Sequence, residues 1–168
     1  MKKQFDLKNI KYIPKIGATL GFFTLLFVQL FLFWGRKKTN LRVNYLIEQD
    51  PDFYHHVSNL TISCILYSGI GYMWVLLGVP FRFIYFLGGV ILASNFVYEL
   101  WIPVLNTPDL KDAWYGMAGT LMGFTFLLLV KKFGVRLSET VKQNVRKDEE
   151  VRRDGEVSKV RSSGNGRD

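Results

Sequence analysis

The sequence has few of the residues on which disulfide-rich proteins and soluble cofactor enzymes depend. Cys64 is the only cysteine among 168 residues, which excludes a disulfide framework within the chain, a CxxC pair and a cysteine-based zinc site. The two histidines are the adjacent His55 and His56, so no HExxH motif is present. The sequence also has no GxxxxGK(S/T) phosphate loop, and no GxGxxG motif follows a strand pattern. We therefore expect neither a soluble enzyme nor a cofactor.

Apolar residues are concentrated in four spans, although the average composition resembles that of a soluble protein. Hydrophobic residues make up 49% of the chain and charged residues 21%. The spans cover residues 16–34, 57–79, 81–98 and 113–130. A helix of about 20 apolar residues crosses a hydrocarbon core of about 30 Å, and a soluble fold of this size cannot bury four such helices. The sequence predicts an all-α, polytopic membrane protein with a four-transmembrane-helix bundle over residues 16–130.

The distribution of lysine and arginine predicts the orientation of the bundle. Four crossings place both termini and the turn at residues 78–80 on one side, together with 17 of the 22 basic residues. By the positive-inside rule both termini lie in the cytoplasm, and we expect the bacterial inner membrane. The positions of Arg36, Lys37 and Lys38 disagree with this rule, because these residues follow the first span directly and would be translocated. If the first span did not cross the membrane and the arm stayed inside, the remaining three crossings would put the eleven basic residues of the tail outside. Four crossings are therefore favoured.

Two charged segments flank the spans. Residues 1–15 form a basic cytoplasmic arm that we expect to contact anionic lipid headgroups, at roughly 1 kcal/mol for each lysine. Residues 131–168 form a tail in which basic and acidic runs alternate. The stretch 135–151 is compatible with a short surface helix, and we predict a largely disordered tail beyond it. The interleaved acids and the lack of stacking aromatics argue against nucleic-acid binding.

Two sets of closely spaced glycines predict tight helix packing. Gly17 and Gly21 form a GxxxG motif in the first span, and Gly116, Gly119 and Gly123 follow one face of the fourth. Small residues at this spacing let two helix backbones approach closely. Packing within the bundle is favoured over a dimer interface, although a homo-oligomer stays open.

The second span is the most polar of the four. Its polar side chains are Ser58, Asn59, Thr61, Ser63 and Ser68. A hydroxyl can bond back to its own helix, whereas the amide of Asn59 is harder to satisfy in this way. We expect Asn59 to face the bundle or the membrane interface. The short turn at residues 78–80 makes the second and third spans antiparallel neighbours.

An acidic cluster lies at the junction of the third and fourth spans. Glu99 ends the third span, and Asp109 and Asp112 open the fourth, at the outer face of the predicted topology. Helix capping explains part of this pattern. Thr107 is a suitable N-cap, Pro108 fits the first helical position, and acids in a first turn are favoured by the helix dipole.

Capping does not explain the whole cluster. Asp109 and Asp112 are three residues apart, so they share a helix face, and their like charges repel unless a cationic group lies between them. The same face continues through the glycine strip, which directs the two acids toward the bundle, near Glu99. Carboxylates at such an edge are costly to desolvate unless they are paired or protonated. Lys111, the basic residues 36–38, a metal ion or a cationic substrate could each pair with them.

The acidic stretch resembles the VanZ-like family of small bacterial membrane proteins. That family has a Glu near the end of one helix and an Asp-x-x-Asp at the start of the next, followed by glycines at fixed offsets. The residues that match in kind and spacing are Glu99, Asp109, Asp112, Gly119 and Gly123. The arginine before the first Asp is replaced by Asn106, an expected asparagine is Gly116, and the family's glutamine is not evident. The resemblance implies a cell-envelope role linked to antibiotic resistance of the glycopeptide (teicoplanin) type, without an established mechanism.

Two other classes of function stay open. The first is a membrane enzyme acting on a lipid-linked substrate, in which the three acids supply general acid and base groups or hold a divalent metal. In that class His55 and His56 are weak metal-ligand candidates, because an interfacial pair at the start of the second helix explains them better. The second is an oligomeric pore or a phage-defence or toxin-type effector, which a small bundle with a basic tail also fits.

Overall fold

The computed structural model describes residues 10–101 and 109–164 as a helical bundle. Within these residues the elements are β1 (Tyr12–Pro14), α1 (Ile16–Lys37), α2 (Asn44–Gln49), α3 (Phe53–Leu77), α4 (Phe81–Trp101), α5 (Leu110–Leu129), β2 (Val135–Leu137) and α6 (Glu139–Gly164). A 3-10 turn at Thr39–Leu41 precedes α2, and a π-helical turn at Val130–Gly134 extends α5.

Four of these helices are long and apolar enough to cross a membrane. They are Ile16–Lys37, Phe53–Leu77, Phe81–Glu99 and Leu110–Gly134, with 19 to 25 residues each. The predicted four-helix membrane bundle is therefore confirmed. The boundaries differ from the apolar spans because backbone hydrogen bonds, not hydropathy, end a helix. α3 begins four residues and α5 three residues before the predicted starts, and these added turns carry His56 and Asp112.

The four long helices run alternately up and down, so the bundle has two ends. We call the end that contains Lys15, Leu77, Phe81 and Gly134 the terminal end, and the end that contains Lys37, Phe53, Glu99 and Leu110 the loop end. α3 is the central helix, with half of its apolar window buried against 6% for α1 and 11% for α4. The outer faces of α1 and α4 are lined by exposed large apolar side chains, as expected for helices in contact with lipid.

The apolar core lies toward the terminal end, between α3, α4 and α5. Its buried members are Tyr67, Tyr72, Val75, Ile84, Leu127 and Val130. The hydroxyl of Tyr67 donates to the Ile84 carbonyl over 3.0 Å, which satisfies a polar group inside the core. α1 joins this core through Phe22, whose ring stacks on that of Tyr72 at a centroid distance of 4.5 Å.

Glycines bring α3 and α5 into the closest contact of the bundle. Gly119 lies directly over the backbone carbonyl of Leu60, where any added Cβ would overlap the carbonyl oxygen. A Cβ at Gly123 would lie 3.2 Å from the ring of Tyr67, and one at Gly116 would lie 2.5 Å from the side-chain amide carbon of Asn95. This contact fixes the position of α5 against α3 and therefore the position of the side chains at the loop end.

The segments before α1 and after α5 form a two-stranded antiparallel ribbon that the all-α prediction did not include. Tyr12 pairs with Leu137 and Pro14 with Val135. The ribbon extends on both sides, because the Lys15 N–H donates to the Gly134 carbonyl over 2.7 Å and the Ser138 N–H donates to the Lys11 carbonyl over 3.0 Å. A ribbon of this length is marginal alone, and here it rests on the bundle that it joins. It holds both terminal segments at one end, as four crossings require.

The tail contains a longer helix than the sequence predicts. α6 runs over Glu139–Gly164, beyond the predicted stretch 135–151 and into residues for which disorder was expected. Residues 143–153 are exposed on every face, and Lys142 pairs with Glu139 at 2.8 Å. Alternating charges at helical spacing support such a helix through local pairs. Over residues 143–153, which have no packed face, its stability is that of an isolated helix.

A candidate polar site at the loop end

One of the three predicted acids caps a helix. Asp109 is the N-cap of α5, and its carboxylate accepts a hydrogen bond from the Lys111 N–H over 2.9 Å. Asp112 lies in the first turn of the same helix, where the dipole favours a negative charge. Thr107 and Pro108, the predicted cap and first helical residue, lie outside the described residues. Capping therefore accounts for Asp109, but at a later position than the sequence suggested.

His56 on α3 lies against both aspartates. Its Nδ1 is 2.9 Å from an oxygen of Asp112 and 3.8 Å from an oxygen of Asp109. The side chains of His56 and Asp112 are only 9% and 17% exposed, so this contact is largely shielded from solvent. With Asp112 ionised, Nδ1 carries the proton and donates it, whether the ring is neutral or charged. His56 thus provides a hydrogen-bond donor to Asp112 that lies within 4 Å of both carboxylates on this helix face.

The two adjacent histidines have different environments. His56 is buried and its ring packs against that of Tyr115 at a centroid distance of 5.4 Å, whereas His55 is exposed. Neighbouring residues on a helix point about 100° apart, and here His56 faces the bundle while His55 faces outward. The predicted interfacial pair is therefore divided between the site and the surface.

Glu99 is the most buried of the three acids. It is 3% exposed, and Asn59 donates to its Oε1 over 3.3 Å. One turn further into the bundle, the Asn95 amide donates to the Ser63 hydroxyl over 2.9 Å and to the Ile91 carbonyl over 3.1 Å. The contacts repeat at an interval of four residues on both helices, so α3 and α4 share a polar seam. Of the two positions expected for Asn59, the bundle and the membrane interface, its bond to Glu99 shows the first.

Together these contacts hold two acids from different helices against consecutive turns of α3. His56 binds Asp112 on α5, and Asn59, three residues later, binds Glu99 on α4. We call these four residues, with Asp109, the polar site. The site contains both hydrogen-bond donors and carboxylates within the ends of membrane-spanning helices, and it can bind a polar or cationic group or take part in proton transfer.

A second acidic pair lies on the outer side of the polar site and was missed by sequence reasoning. Tyr115 donates to Asp50 over 2.7 Å, and Lys111 pairs with Asp52 at 3.2 Å, with both side chains more than half exposed. The hydrogen bond from Tyr115, followed by one from the Asp52 N–H, lowers the pKa of Asp50. The predicted role of Lys111 as a partner of the clustered acids is thus taken by His56. The position of Tyr115, one turn after Asp112, was the only signal in the sequence.

Arg36, in the last turn of α1, and Arg42, which follows the helix, make polar contacts at its C-terminal end. Arg42 donates to the carbonyls of Gly35 and Arg36 over 3.0 and 3.3 Å, and its guanidinium lies 5.2 Å from the centre of the Tyr54 ring. Arg36 donates to the Ser58 hydroxyl over 2.7 Å. Cations at a helix C-terminus are favoured by the dipole and satisfy its last carbonyls. These contacts give a structural reason for arginines on the side that the charge count assigns to the outside.

The described residues do not form a metal centre. Within them, no group of three or more His, Cys, Asp and Glu side chains is placed to hold a metal ion. His56, one of the two weak ligand candidates, is engaged with Asp112. Cys64 is buried inside α3, away from the loop end.

Comparison of the chain with known proteins found no match. No family model matches it, and neither a curated protein nor a solved structure does so. Its function is therefore argued from its own residues and their geometry.

Proposed function

We propose that this chain is a VanZ-like protein of the bacterial inner membrane, with both termini in the cytoplasm and the polar site at the outer face. In this role the site binds a polar group of a cell-envelope molecule and so alters sensitivity to glycopeptide antibiotics. One observation carries the proposal. Asp112 and Glu99 come from different helices and are held against consecutive turns of α3 by His56 and Asn59.

The burial of these groups supports a functional role. An ionisable side chain inside a membrane-spanning helix is costly, and such residues commonly mark binding or transport sites. Helix capping explains Asp109, but it explains neither the burial of Glu99 nor the histidine opposite Asp112. A packed bundle needs none of these groups, since apolar residues would fill the same space at lower cost.

The distribution of charge supports the proposed orientation. The loop end has six acids: Glu48, Asp50, Asp52, Glu99, Asp109 and Asp112. The terminal end joins the basic arm and tail through the ribbon. The loop end has five of the 22 basic residues and the terminal side has the other 17, and the positive-inside rule favours the cytoplasm for the side with the excess of Lys and Arg, with the terminal lysines at anionic headgroups.

The experiment that tests this proposal is the inhibitory concentration of teicoplanin for bacteria that express the protein. We expect Asp112→Asn and Glu99→Gln to abolish any tolerance that the wild type confers, at equal amounts of protein in the membrane. Asp52→Asn, which removes one nearby exposed charge outside the polar site, is the matched control and should keep the phenotype. A wild type without effect on sensitivity, or site variants that behave like Asp52→Asn, would contradict the proposal. Depolarisation on overexpression would instead support the pore or effector class.

A second candidate is a membrane enzyme that acts on a lipid-linked substrate. The 2.9 Å contact between His56 and Asp112 favours it, because a carboxylate bound to one ring nitrogen orients a histidine for general base catalysis. Mass spectrometry of extracted lipids separates the two roles. An enzyme changes the abundance of a lipid-linked species, and His56→Gln removes that change, whereas a binding protein leaves the lipid composition as it was.

A further inference from the structure

An apolar groove opens toward the lipid between α1 and α5 at the terminal end. It has a volume of about 450 Å³. Gly17 and Gly21 line it on the α1 side, Phe126 and Phe133 on the other, and Lys15 lies at its mouth. The groove runs between two membrane-spanning helices, so its occupant comes from within the bilayer.

The groove exists because the glycines of α1 are not filled by a neighbouring helix. A Cβ on Gly17 would meet no atom within 4 Å, and one on Gly21 would meet only the Phe126 ring, at 3.6 Å. The glycines of α5, in contrast, are in contact with α3 or α4. The predicted packing of the GxxxG motif of α1 within the bundle is therefore absent at Gly17. That surface is available to a slender apolar chain.

Positive charge lies at the mouth of the groove. Lys15 lines the groove and Lys132 directly precedes its lining residue Phe133; both lysines are exposed, and within the described part of the chain neither pairs with a carboxylate. The α1 helix begins at this point without an acidic residue in its first turn, so its dipole adds to the positive potential. Lys132 lies over the Phe133 ring at 5.0 Å from its centre, which keeps its charge at the edge of the groove.

We propose that this groove binds one hydrocarbon chain of an anionic phospholipid, with the phosphate of the lipid at Lys15. The apolar walls take the chain, and the lysines at the mouth select a negative headgroup over a neutral one. A second copy of the bundle suits the groove less well. Packing of two α1 helices through Gly17 and Gly21 would bring the Lys15 side chains of both copies together, and like charges repel. The site lies at the opposite end from the polar site and does not rest on the function proposed for it.

The test is native mass spectrometry of the intact protein released from nanodiscs that contain equal amounts of phosphatidylglycerol and phosphatidylcholine. We expect the wild type to retain one phosphatidylglycerol in preference to phosphatidylcholine. Lys15→Gln should reduce this preference about fivefold, since one lysine near an anionic headgroup contributes on the order of 1 kcal/mol. Gly17→Leu fills the groove without a change in charge, and we expect it to remove the retained lipid altogether.

Two matched variants serve as controls. Gly89→Leu adds the same side chain at another glycine whose Cβ would meet no atom within 4 Å, and Lys38→Gln removes an exposed lysine at the loop end. Both should retain phosphatidylglycerol as the wild type does. Equal retention by Gly17→Leu and Gly89→Leu would overturn the proposal. A wild-type dimer that Gly17→Leu converts to a monomer would also overturn it, because a second copy would then occupy the groove.

Discussion

The charged side chains at the two ends of the bundle mostly contact different kinds of partner. At the loop end, charged groups are engaged with other polar groups of the protein, including His56 with Asp112, Glu99 with Asn59, Lys111 with Asp52 and Arg36 with Ser58. At the terminal end, basic residues lie over aromatic rings instead, a contact that among the described residues of the loop end is made by Arg42 over Tyr54. The pairs at the terminal end are Lys11 with Tyr12, Arg82 with Phe83, Lys131 with Phe81 and Lys132 with Phe133.

This difference indicates separate roles for the two ends. Cations over aromatic rings keep their charge available at the level of the lipid headgroups, where such residues anchor membrane proteins. Charges that are hydrogen-bonded within the protein hold one geometry, which a binding site requires. The terminal end is therefore suited to the membrane surface and the loop end to recognition. The comparison can be tested by changing each kind of contact separately.

The largest effect is expected from the glycine contact that supports the loop end. In Gly119→Ala the new methyl group would overlap the Leu60 carbonyl, so α5 would have to move away from α3. We expect a loss of about 3 kcal/mol in the free energy of unfolding, the upper part of the range for overpacked sites. Titration of the protein in mild detergent with SDS measures this free energy of unfolding. Gly89→Ala, at an open glycine, is the control, and an equal loss in both variants would contradict the packing account.

The next effect concerns the pair His56 and Asp112 at the loop end. A double-mutant cycle with His56→Gln and Asp112→Asn should give a coupling energy of about 2 kcal/mol, because the pair is largely shielded from water. The same cycle on Lys111 and Asp52, which are more than half exposed, should give little or no coupling. Similar coupling in the two cycles would mean that shielding does not distinguish the polar site from the surface around it.

A stabilising effect of about 1 to 2 kcal/mol is expected at Gln29. Its side chain is fully buried in the middle of α1, and both polar atoms of its amide lack a hydrogen-bond partner within the described residues. Replacing an unsatisfied buried amide by an apolar group of similar size removes a desolvation penalty. Gln29→Leu should therefore unfold at a higher SDS fraction than the wild type. A lower midpoint would indicate that the amide has a partner that matters for stability.

The smallest effect is a pH dependence at the edge of the polar site. The hydrogen bond from Tyr115 lowers the pKa of Asp50, so the folded state gains stability from the ionised carboxylate. That contribution is fully present above the ordinary aspartate pKa of about 3.9 and is lost as the pH falls through the lowered value. Tyr115→Phe removes the donor and should flatten the pH dependence of the unfolding midpoint between pH 6 and pH 3. An unchanged profile would show that the bond does not favour the ionised form.

The sequence is sufficient for the features that depend on local composition. Four long apolar runs predict four spanning helices, and the glycine strip of α5 predicts the face that packs against other helices of the bundle. The expected direction of Asn59 also follows from local reasoning, because an amide in an apolar helix needs a partner. These predictions require only the helical period and the cost of burying polar groups.

Contacts between distant segments could not be predicted in this way. His56 and Asp112 are 56 residues apart, and Tyr115 and Asp50 are 65 apart, so their pairing depends on how the helices pack. The ribbon between Tyr12–Pro14 and Val135–Leu137 has the same origin, since neither short segment would pair without the bundle between them. Hydropathy also left the polar first turns of α3 and α5 out of the predicted spans. These turns carry His56 and Asp112, and the polar site lies there.

The most direct test of the account is the side of the membrane on which the polar site lies. Single cysteines at Asn40, in the exposed turn of the loop end, and at Gln143, on the exposed part of α6, can be placed in a Cys64→Ser background. A membrane-impermeant thiol reagent applied to intact cells should label position 40 and leave position 143 unlabelled until the cells are lysed. Labelling of position 143 with protection of position 40 would place the polar site in the cytoplasm and contradict the proposed role at the outer face.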